Sequence, residues 1–319
     1  MIDVLALGEL LIDFTTTASD EDGYPTMAAH PGGAPANFLA ALTKFGYKTA
    51  LLGKVGNDAF GKMLINTLNK AGISSEGIVV DSSVFTTLAF VTLDETGDRE
   101  FSFARKPGAD TCITFEELNK SLLDETRVFH FGTLSLTSDP AKTATEKAVA
   151  YCKERNKLIT FDPNYRAPLW NNEEDAKNAI KWGCAQADVI KISDEEVEFV
   201  FGLDEKAGAE LLLNEYGASL VFVTRGKDGC YFANKQATGY VDNYNNVHPV
   251  DTTGAGDIFG GSAVSRVLEL GKAPSELTEE ELRYVAGFAC TSAALSTECY
   301  GGIQSVQDID TIMKAYENK

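Results

Sequence analysis

The sequence predicts one α/β domain over residues 1–319, with a central, mostly parallel β-sheet flanked by helices. Apolar runs rich in β-branched and aromatic residues alternate with longer segments of helical spacing, as in a sheet covered on both faces. Two stretches without intervening helices break this alternation and predict a second, small β-sheet. A chain of 319 residues suits one large α/β domain, although two domains would also fit this length.

Each strand candidate is a short apolar run bounded by turn residues or by a helical pattern. Strands are predicted at 3–7, 49–55, 87–93, 128–132, 158–162, 188–193 and 220–225. The spacing of apolar residues predicts helices at 36–45, 58–70, 139–156, 172–182, 194–201 and 205–216, with helices dominating from about residue 257 onward.

The small sheet is predicted from two segments that read as strands and turns, residues 12–30 and 84–106. Between two alternating runs lies "DETGD" (94–98), which is typical of a hairpin turn. Segments of about 12–30 and 84–108 would together form a lid that covers a ligand and excludes water.

The formal net charge is −19, from 28 basic and 47 acidic residues. This charge disfavours nonspecific binding to nucleic acid or to an anionic membrane surface. An anionic ligand would need a local positive site, such as the free N–H groups at the start of a helix.

Cysteine usage and hydropathy indicate a cytoplasmic protein. The six cysteines show no CxxC pair and no metal-ligand spacing, which is typical of reduced thiols. The apolar start "MIDVLALGELLIDF" lacks a basic segment and contains acidic residues, so we expect a buried strand rather than a signal peptide. No apolar run reaches about 18 residues, so no transmembrane helix is expected.

The segment "DTTGAGDIFGGSA" (251–263) places Gly254, Ala255 and Gly256 just before a helix predicted to start near Asp257. Unpaired N–H groups and the helix dipole at that point would bind an anion such as a phosphate. Asp257 would then accept the proton of an alcohol that attacks the phosphorus. The alternative is structural, with Asp257 as an N-cap and the glycines as a turn.

A second glycine cluster, "HPGGAPAN" (30–37), also precedes a predicted helix. Gly32 and Gly33 lie in the loop, and Asn37 lies in the first helical turn. An asparagine side chain offers a donor and an acceptor to a polyol. Good turn chemistry alone would explain this loop equally well.

These two motifs resemble the paired signature patterns of the ribokinase-like (PfkB) carbohydrate kinases, in the same order and at the same separation. The resemblance extends from "GEL" (8–10) to about residue 306 and implies a ribokinase-like fold. It implies that Asp257 is the general base and that the amides of Gly254, Ala255 and Gly256 form an anion hole. It also implies sugar contacts by Asp13, Gly32, Gly33 and Asn37.

Three further segments resemble family motifs for ATP and cations. "KISDEEVEF" (191–199) resembles the N-x-x-E motif, with Ser193 replacing Asn, and implies a water-mediated Mg²⁺ role for Glu196 and a phosphate contact for Lys191. S-x-x-E is also a capping box. "TRGKDG" (224–229) resembles the nucleotide loop, which implicates Thr224, Gly226 and Gly229. "TECYGGIQSV" (297–306) loosely resembles a loop that holds adenine and a monovalent cation such as K⁺, which implicates Gly301, Ser305, Asp251 and Thr253.

Two segments resemble those of fructokinases, bacterial ones most of all: "FSFARKPGAD" (101–110) and "FDPNYRAPLW" (161–170). The resemblance implies that Phe101, Arg105, Asn164 and Arg166 contact the sugar. Kinases of 2-keto-3-deoxygluconate share the second segment, where an arginine pairs with the substrate carboxylate. Surface ion pairing is the structural alternative for both arginines.

The resemblance implies ATP-dependent phosphorylation of D-fructose to fructose 6-phosphate, with Mg²⁺ and K⁺ as cofactors. The alternatives are a 2-keto-3-deoxygluconate kinase, another PfkB sugar or nucleoside kinase, and a catalytically silent sugar sensor. We expect small-molecule partners, namely the sugar and ATP, and a homodimer that pairs through the lid.

Overall fold

The computed structural model describes residues 1–93 and 99–318, with the backbone alone described at residues 93 and 99–101. Its strands, in chain order, are β1 Val4–Leu7, β2 Leu11–Ser19, β3 Pro25–Gly32, β4 Thr49–Gly56, β5 Ile78–Asp81, β6 Leu88–Leu93, β7 Arg99–Ala104, β8 Val128–Gly132, β9 Leu158–Asp162, β10 Val189–Ser193, β11 Leu220–Thr224, β12 Cys230–Asn234 and β13 Thr238–Val241.

The α-helices alternate with these strands through the first two thirds of the chain and dominate its end. They are α1 Ala34–Lys44, α2 Ala59–Ala71, α3 Lys120–Glu125, α4 Ala141–Lys153, α5 Glu173–Gln186, α6 Asp194–Phe201, α7 Glu205–Asn214, α8 Ala255–Leu270, α9 Glu279–Ser296 and α10 Ile309–Glu317. Short 3₁₀ turns lie between several of them, including Leu134–Leu136 and Ala167–Leu169.

In the described part of the chain, the large sheet has the strand order β13-β12-β11-β10-β9-β8-β1-β4-β5. All neighbours from β11 to β5 run parallel, while β12 and β13 are antiparallel at one edge. One face packs on α4 to α7, and the other packs on α1, α2 and the helices from α8 onward. The predicted α/β class is confirmed, because apolar strands such as β1 and β4 are buried along their whole length.

The predicted small sheet is also present, with the strand order β3-β2-β6-β7. Strand β2 pairs antiparallel with β3 and parallel with β6, so residues distant in sequence form one layer. Asp13 in β2 lies opposite His30 in β3 and Ala89 in β6. The predicted turn at 94–98 lies outside the described residues, and the role of this sheet as a lid stays a prediction.

The structure differs from the sequence prediction at several short elements. Strands β5 and β13 and helix α3 have four to six residues each and were not predicted. Helix α8 begins at Ala255, two residues before the predicted start near Asp257. The left-handed conformation of Gly254 (φ 79°) sets this earlier start, because it turns the chain directly into the helix.

No helix in the described ranges is both long and apolar enough to span a membrane. The six cysteines, all within those ranges, form no disulfide bond with one another.

Candidate active site

Two cavities lie at the carboxyl edge of the parallel strands, where α/β folds commonly bind ligands. The polar cavity has a volume of about 370 Å³ and is lined by Glu9, Leu11, Asp13, Gly33, Ala34, Asn37, Phe103, Leu134, Asn164, Arg166, Lys191, Thr252, Thr253, Gly254, Gly256 and Asp257. The apolar cavity has a volume of about 460 Å³, and its inner wall includes Val247, Phe259, Ala293 and Ala294.

The two cavities meet at the start of α8. Thr252 and Gly256 line both of them, while Gly254 faces the polar cavity and Ala255 the apolar one. A Cβ atom at Gly254 would lie 3.0 Å from both Asn37 Nδ2 and Gly302 Cα, so the close packing here favours glycine. The N–H groups of this first turn and the helix dipole make the junction suitable for an anion.

Asp257 lies in the first turn of α8, is 8% exposed and lines the polar cavity. Asn37 Nδ2 donates to its Oδ2 at 2.9 Å, and Asn164 Nδ2 donates to its Oδ1 at 3.0 Å. The alternative that Asp257 is an N-cap is wrong, because Gly254 occupies that position and Asp257 bonds to side chains from two other segments. Burial raises the pKa of Asp257, against the bond from Asn37 and the charge of Lys191.

Asp13 lies at the same cavity on β2, next to Gly32 of β3. A Cβ atom at Gly32 would lie 2.2 Å from Asp13 Oδ2, so glycine leaves room for the carboxylate. Burial raises the pKa of Asp13 to about 7, and the charge of Arg166 partly opposes this rise. Arg166 lines the cavity beside it and donates from Nη1 to the Tyr165 carbonyl oxygen at 2.9 Å.

Glu9 is a site residue that the sequence reasoning did not assign. Its Oε1 accepts a bond from the Ala34 N–H at 2.7 Å, in the first turn of α1, whose N-cap is Gly33. Burial raises the pKa of Glu9 to about 7. An acidic residue two positions after a buried strand was the available signal, because such positions reach the ligand edge of a parallel sheet.

Lys191 on β10 lines the polar cavity and lies close to Gly256, in the first turn of α8. Its Nζ lies 3.1 Å and 3.0 Å from the two carboxylate oxygens of Asp162, a second residue the sequence reasoning left unassigned. Burial alone would lower the pKa of Lys191, but the charges of Asp162, Glu196 and Asp257 outweigh it and the pKa is raised. Lys191 is therefore a fixed positive charge beside the α8 amides.

Glu196 and Ser193 form a capping box at the start of α6. Ser193 Oγ accepts from the Glu196 N–H at 3.1 Å, and Glu196 Oε2 accepts from the Ser193 N–H at 2.9 Å. Glu196 Oε1 also accepts from the Tyr165 N–H at 2.8 Å, which fixes the carboxylate near Lys191. The capping alternative is therefore present, and it leaves room for a magnesium role, since each oxygen keeps a further acceptor site.

Three residues of the "TRGKDG" segment, Thr224, Gly226 and Gly229, line the apolar cavity as a group. Thr224 ends β11 directly beside Ser193 of β10, so the two predicted nucleotide segments are neighbours in the sheet. The structure thus brings Thr224, Gly226 and Gly229 to the cavity that adjoins the α8 amides, whereas Lys191 lines the polar cavity and Ser193 lines neither of the two.

The predicted cation residues lie together behind that junction. Asp251 Oδ1 accepts from the Thr253 N–H and its Oδ2 accepts from the Gly301 N–H, both at 2.9 Å. Ser305 is fully buried and donates to the Gly302 carbonyl oxygen at 2.9 Å. The 251–253 and 301–305 segments are therefore adjacent, as a shared cation site requires.

Arg105 does not line the polar cavity, which corrects the expectation of a sugar contact. Its guanidinium is buried, pairs with Asp110 at 2.7 Å, and donates to Thr137 Oγ1 and the Leu134 carbonyl oxygen. The alternative of a surface ion pair is wrong as well, because both partners are buried. The side chain of Phe101 lies outside the described atoms, whereas Phe103, two positions along the same strand, lines the cavity.

A polar and an apolar cavity that meet at the N-terminus of a helix suit an enzyme that transfers an anionic group between two ligands. The family model described as "pfkB family carbohydrate kinase" matches residues 1–309. A relative named "Probable fructokinase-5" from Arabidopsis thaliana is 42% identical over 98% of this chain and 97% of its own length.

Solved structures with the same fold cover almost the whole chain. A Xylella fastidiosa fructokinase with bound ATP has a TM-score of 0.90 at 27% identity, over 99% of this chain and 98% of its own. A Vibrio cholerae O395 fructokinase with fructose, ADP and calcium ion has a TM-score of 0.85 at 27% identity, over 99% of each chain. The chain belongs to the pfkB family of carbohydrate kinases, and the expected ribokinase-like fold is confirmed.

Proposed function

We propose that this kinase transfers the γ-phosphoryl group of ATP to D-fructose and forms fructose 6-phosphate. The observation that carries the proposal is the junction of two cavities at the start of α8, with Asp257 on the polar side. Relatives named fructokinase, with identities of 38–42%, and the solved fructokinases support fructose as the acceptor.

The chain's own residues have distinct roles in this reaction. Asp13, Asn37 and Arg166 bind the sugar hydroxyls in the polar cavity. Asp257 accepts the proton of the attacking hydroxyl, because its carboxylate is buried beside the junction and needs no solvent rearrangement. The amides of residues 254–256 and the fixed charge of Lys191 stabilise the negative charge on the transferred group.

The residues fit the expected cations in different ways. The described residues contain no cluster of three or more acidic, histidine or cysteine ligands. Glu196 is the residue that would hold Mg²⁺, through a water. When bound with the nucleotide, the ion would neutralise phosphate charge. The oxygens of residues 251–253 and 301–305 suit K⁺.

The direct test is coupled ADP release with ATP, Mg²⁺ and fructose. Replacing the base by Asp257→Asn should lower kcat by about 10²–10⁴-fold with little change in unfolding temperature. Asp310→Asn, an exposed acidic residue in the first turn of α10, is the matched control and should keep full activity. Sugar binding in calorimetry without ADP release by the wild-type protein would favour the sensor alternative instead.

Arg166 in the polar cavity also suits a second phosphoryl acceptor, 2-keto-3-deoxygluconate, because a guanidinium pairs well with its carboxylate. A panel of fructose, ribose, 2-keto-3-deoxygluconate and a nucleoside ranks the acceptors by kcat/KM. The highest value with fructose supports the proposal, and a higher value with the acidic sugar replaces it.

We further propose that the small sheet closes over the sugar and pairs with the same sheet of a second copy. Phe103 of β7 lines the polar cavity, so this sheet contributes to the sugar site directly. The small-molecule partners of the reaction and the six cysteines, which form no disulfide bond with one another, suit the cytoplasm.

A further inference from the structure

A third cavity, with a volume of about 430 Å³, lies beside the active site and has no part in the proposed reaction. We call it the side cavity. It lies between the segment 136–139, the first turns of α4, residues 170–171 and the part of α5 from Asp175 to Trp182. Among the described residues, it shares no lining residue with the polar or the apolar cavity.

The side cavity has the chemistry of a saccharide site. Both tryptophans of the chain, Trp170 and Trp182, line it, and indole rings pack well against sugar rings. The lining also contains carboxylate acceptors, from Asp139, Glu146 and Asp175, and groups that donate, from Lys142, Asn171 and Asn178. A hydroxyl group both donates and accepts, so a polyhydroxylated ligand satisfies this mixture.

The charge of the lining favours a neutral ligand. Three carboxylates and one lysine line the cavity, which gives a formal net charge of −2. Sugar phosphates are therefore repelled, whereas neutral sugars are not.

The side cavity is joined to the polar cavity by two short links. Arg105 donates to Thr137 Oγ1 of the side cavity at 2.9 Å and to the carbonyl oxygen of Leu134, a residue of the polar cavity, at 2.8 Å. The 3₁₀ turn Ala167–Leu169 connects Arg166 of the polar cavity to Trp170 of the side cavity. Arg105 and this turn therefore connect the linings of the two cavities.

We propose that the side cavity binds a neutral saccharide and that its occupancy changes the affinity of the polar cavity for the acceptor sugar. The binding step is independent of catalysis, whereas the effect on acceptor affinity rests on the proposed function. The site is thus a sensor of sugar supply within the kinase itself.

Both tryptophans line the side cavity, so intrinsic fluorescence reports its occupancy without ATP. Titration with glucose and with sucrose should give a saturable change with at least one of them, and glucose 6-phosphate should give none. Glu146→Gln should weaken this binding by about tenfold, since a hydrogen bond to a charged group is lost. Glu154→Gln, at the exposed end of the same helix, should leave it unchanged.

The same titration of Asp13→Ala should give the wild-type dissociation constant, because that substitution alters the polar cavity alone. A linear response to both sugars, an equal response to glucose 6-phosphate, or loss of the signal in Asp13→Ala would overturn the proposal.

With ATP and fructose present, the saturating sugar should shift the KM for fructose at least twofold, and an unchanged KM would refute the coupling. A failure of fructose phosphorylation would leave the fluorescence result standing.

Discussion

At the scale of single residues, the carboxylate of Asp257 is held from two sides. Two amides, from segments 220 and 93 positions away in sequence, each donate to a different carboxylate oxygen. This arrangement fixes the orientation of the carboxylate and favours its charged form against burial. We therefore interpret Asn164 as a positioning residue for the base, in addition to its predicted contact with the sugar.

Asn164→Gly tests this interpretation. Asn164 has a positive φ of 45°, which glycine tolerates, so the substitution removes the amide without straining the backbone. Loss of a bond to a charged group should lower kcat by about tenfold to hundredfold. The KM for the sugar should rise as well, since the predicted sugar contact is lost, and a raised KM with unchanged kcat would favour the sugar contact alone. Asn156→Gly, at an exposed residue with φ 53°, is the matched control.

The pKa of Asp13 gives a second prediction at this scale. Burial raises this pKa from 3.8 to about 7, so the carboxylate takes up a proton as the pH falls through 7. The ionised form accepts hydrogen bonds from sugar hydroxyls more strongly, so kcat/KM for fructose should fall below pH 7. The raised pKa of Asp257 acts in the same direction. A pH profile of kcat/KM checks this.

The Asp13→Asn variant provides the comparison for that profile. It should start from a lower kcat/KM and lose the part of the decline that Asp13 causes. An identical decline in the variant and the wild type would assign the pH dependence to other groups.

At the scale of elements, the end of β7 is tied to the main domain by a buried ion pair. Arg105 and Asp110 are 7% and 5% exposed, and Thr87, just before β6, bonds to the same aspartate. Arg105 also reaches the 3₁₀ turn that follows β8. The small sheet is thus anchored at the edge where it meets the site.

Arg105→Met should destabilise the protein by about 3–5 kcal/mol, because it leaves Asp110 buried without its charge partner. Urea unfolding measures this loss. Arg127→Met removes an exposed ion pair with Asp3 and should cost about 0–1 kcal/mol. If Arg105→Met raised the KM for fructose at unchanged stability, the original expectation of a sugar contact would stand.

Long apolar elements of this fold could be predicted from the sequence, and short ones could not. Helix α6 was predicted at its observed bounds, because its capping box and apolar spacing are local signals. Strand β13 escaped prediction because it is four residues long, partly polar and held mainly by pairing with β12.

In the site, likewise, residues in local motifs could be predicted and tertiary contacts could not. The motifs indicated Asp13, Asn37, Arg166 and Asp257, and the structure places all four at the polar cavity. Local sequence could not indicate that Asn164 bonds to Asp257, since that contact depends on tertiary packing. For the same reason it could not separate a sugar contact from the buried ion pair at Arg105.

At the scale of the whole molecule, pairing through the small sheets predicts a dimer of twice the chain mass of 34.4 kDa. Sedimentation velocity at micromolar concentration should show it. Tyr24 is 68% exposed at the tip of the β2–β3 hairpin, and Tyr24→Asp should shift the equilibrium toward monomer if the hairpin lies in the interface. Val80→Asp, at an exposed residue of β5 in the large sheet, is the control. A monomer at all concentrations would refute the pairing.

The bond between Asn37 and Asp257 spans 220 positions of the chain. Activity thus requires the first and last thirds of the polypeptide to be in contact. The rate at which phosphoryl transfer recovers after dilution from denaturant therefore measures the slowest step of refolding. Two fragments of the chain, one with Asn37 and the other with Asp257, should each lack kinase activity alone. Activity should return when the mixed fragments reassemble.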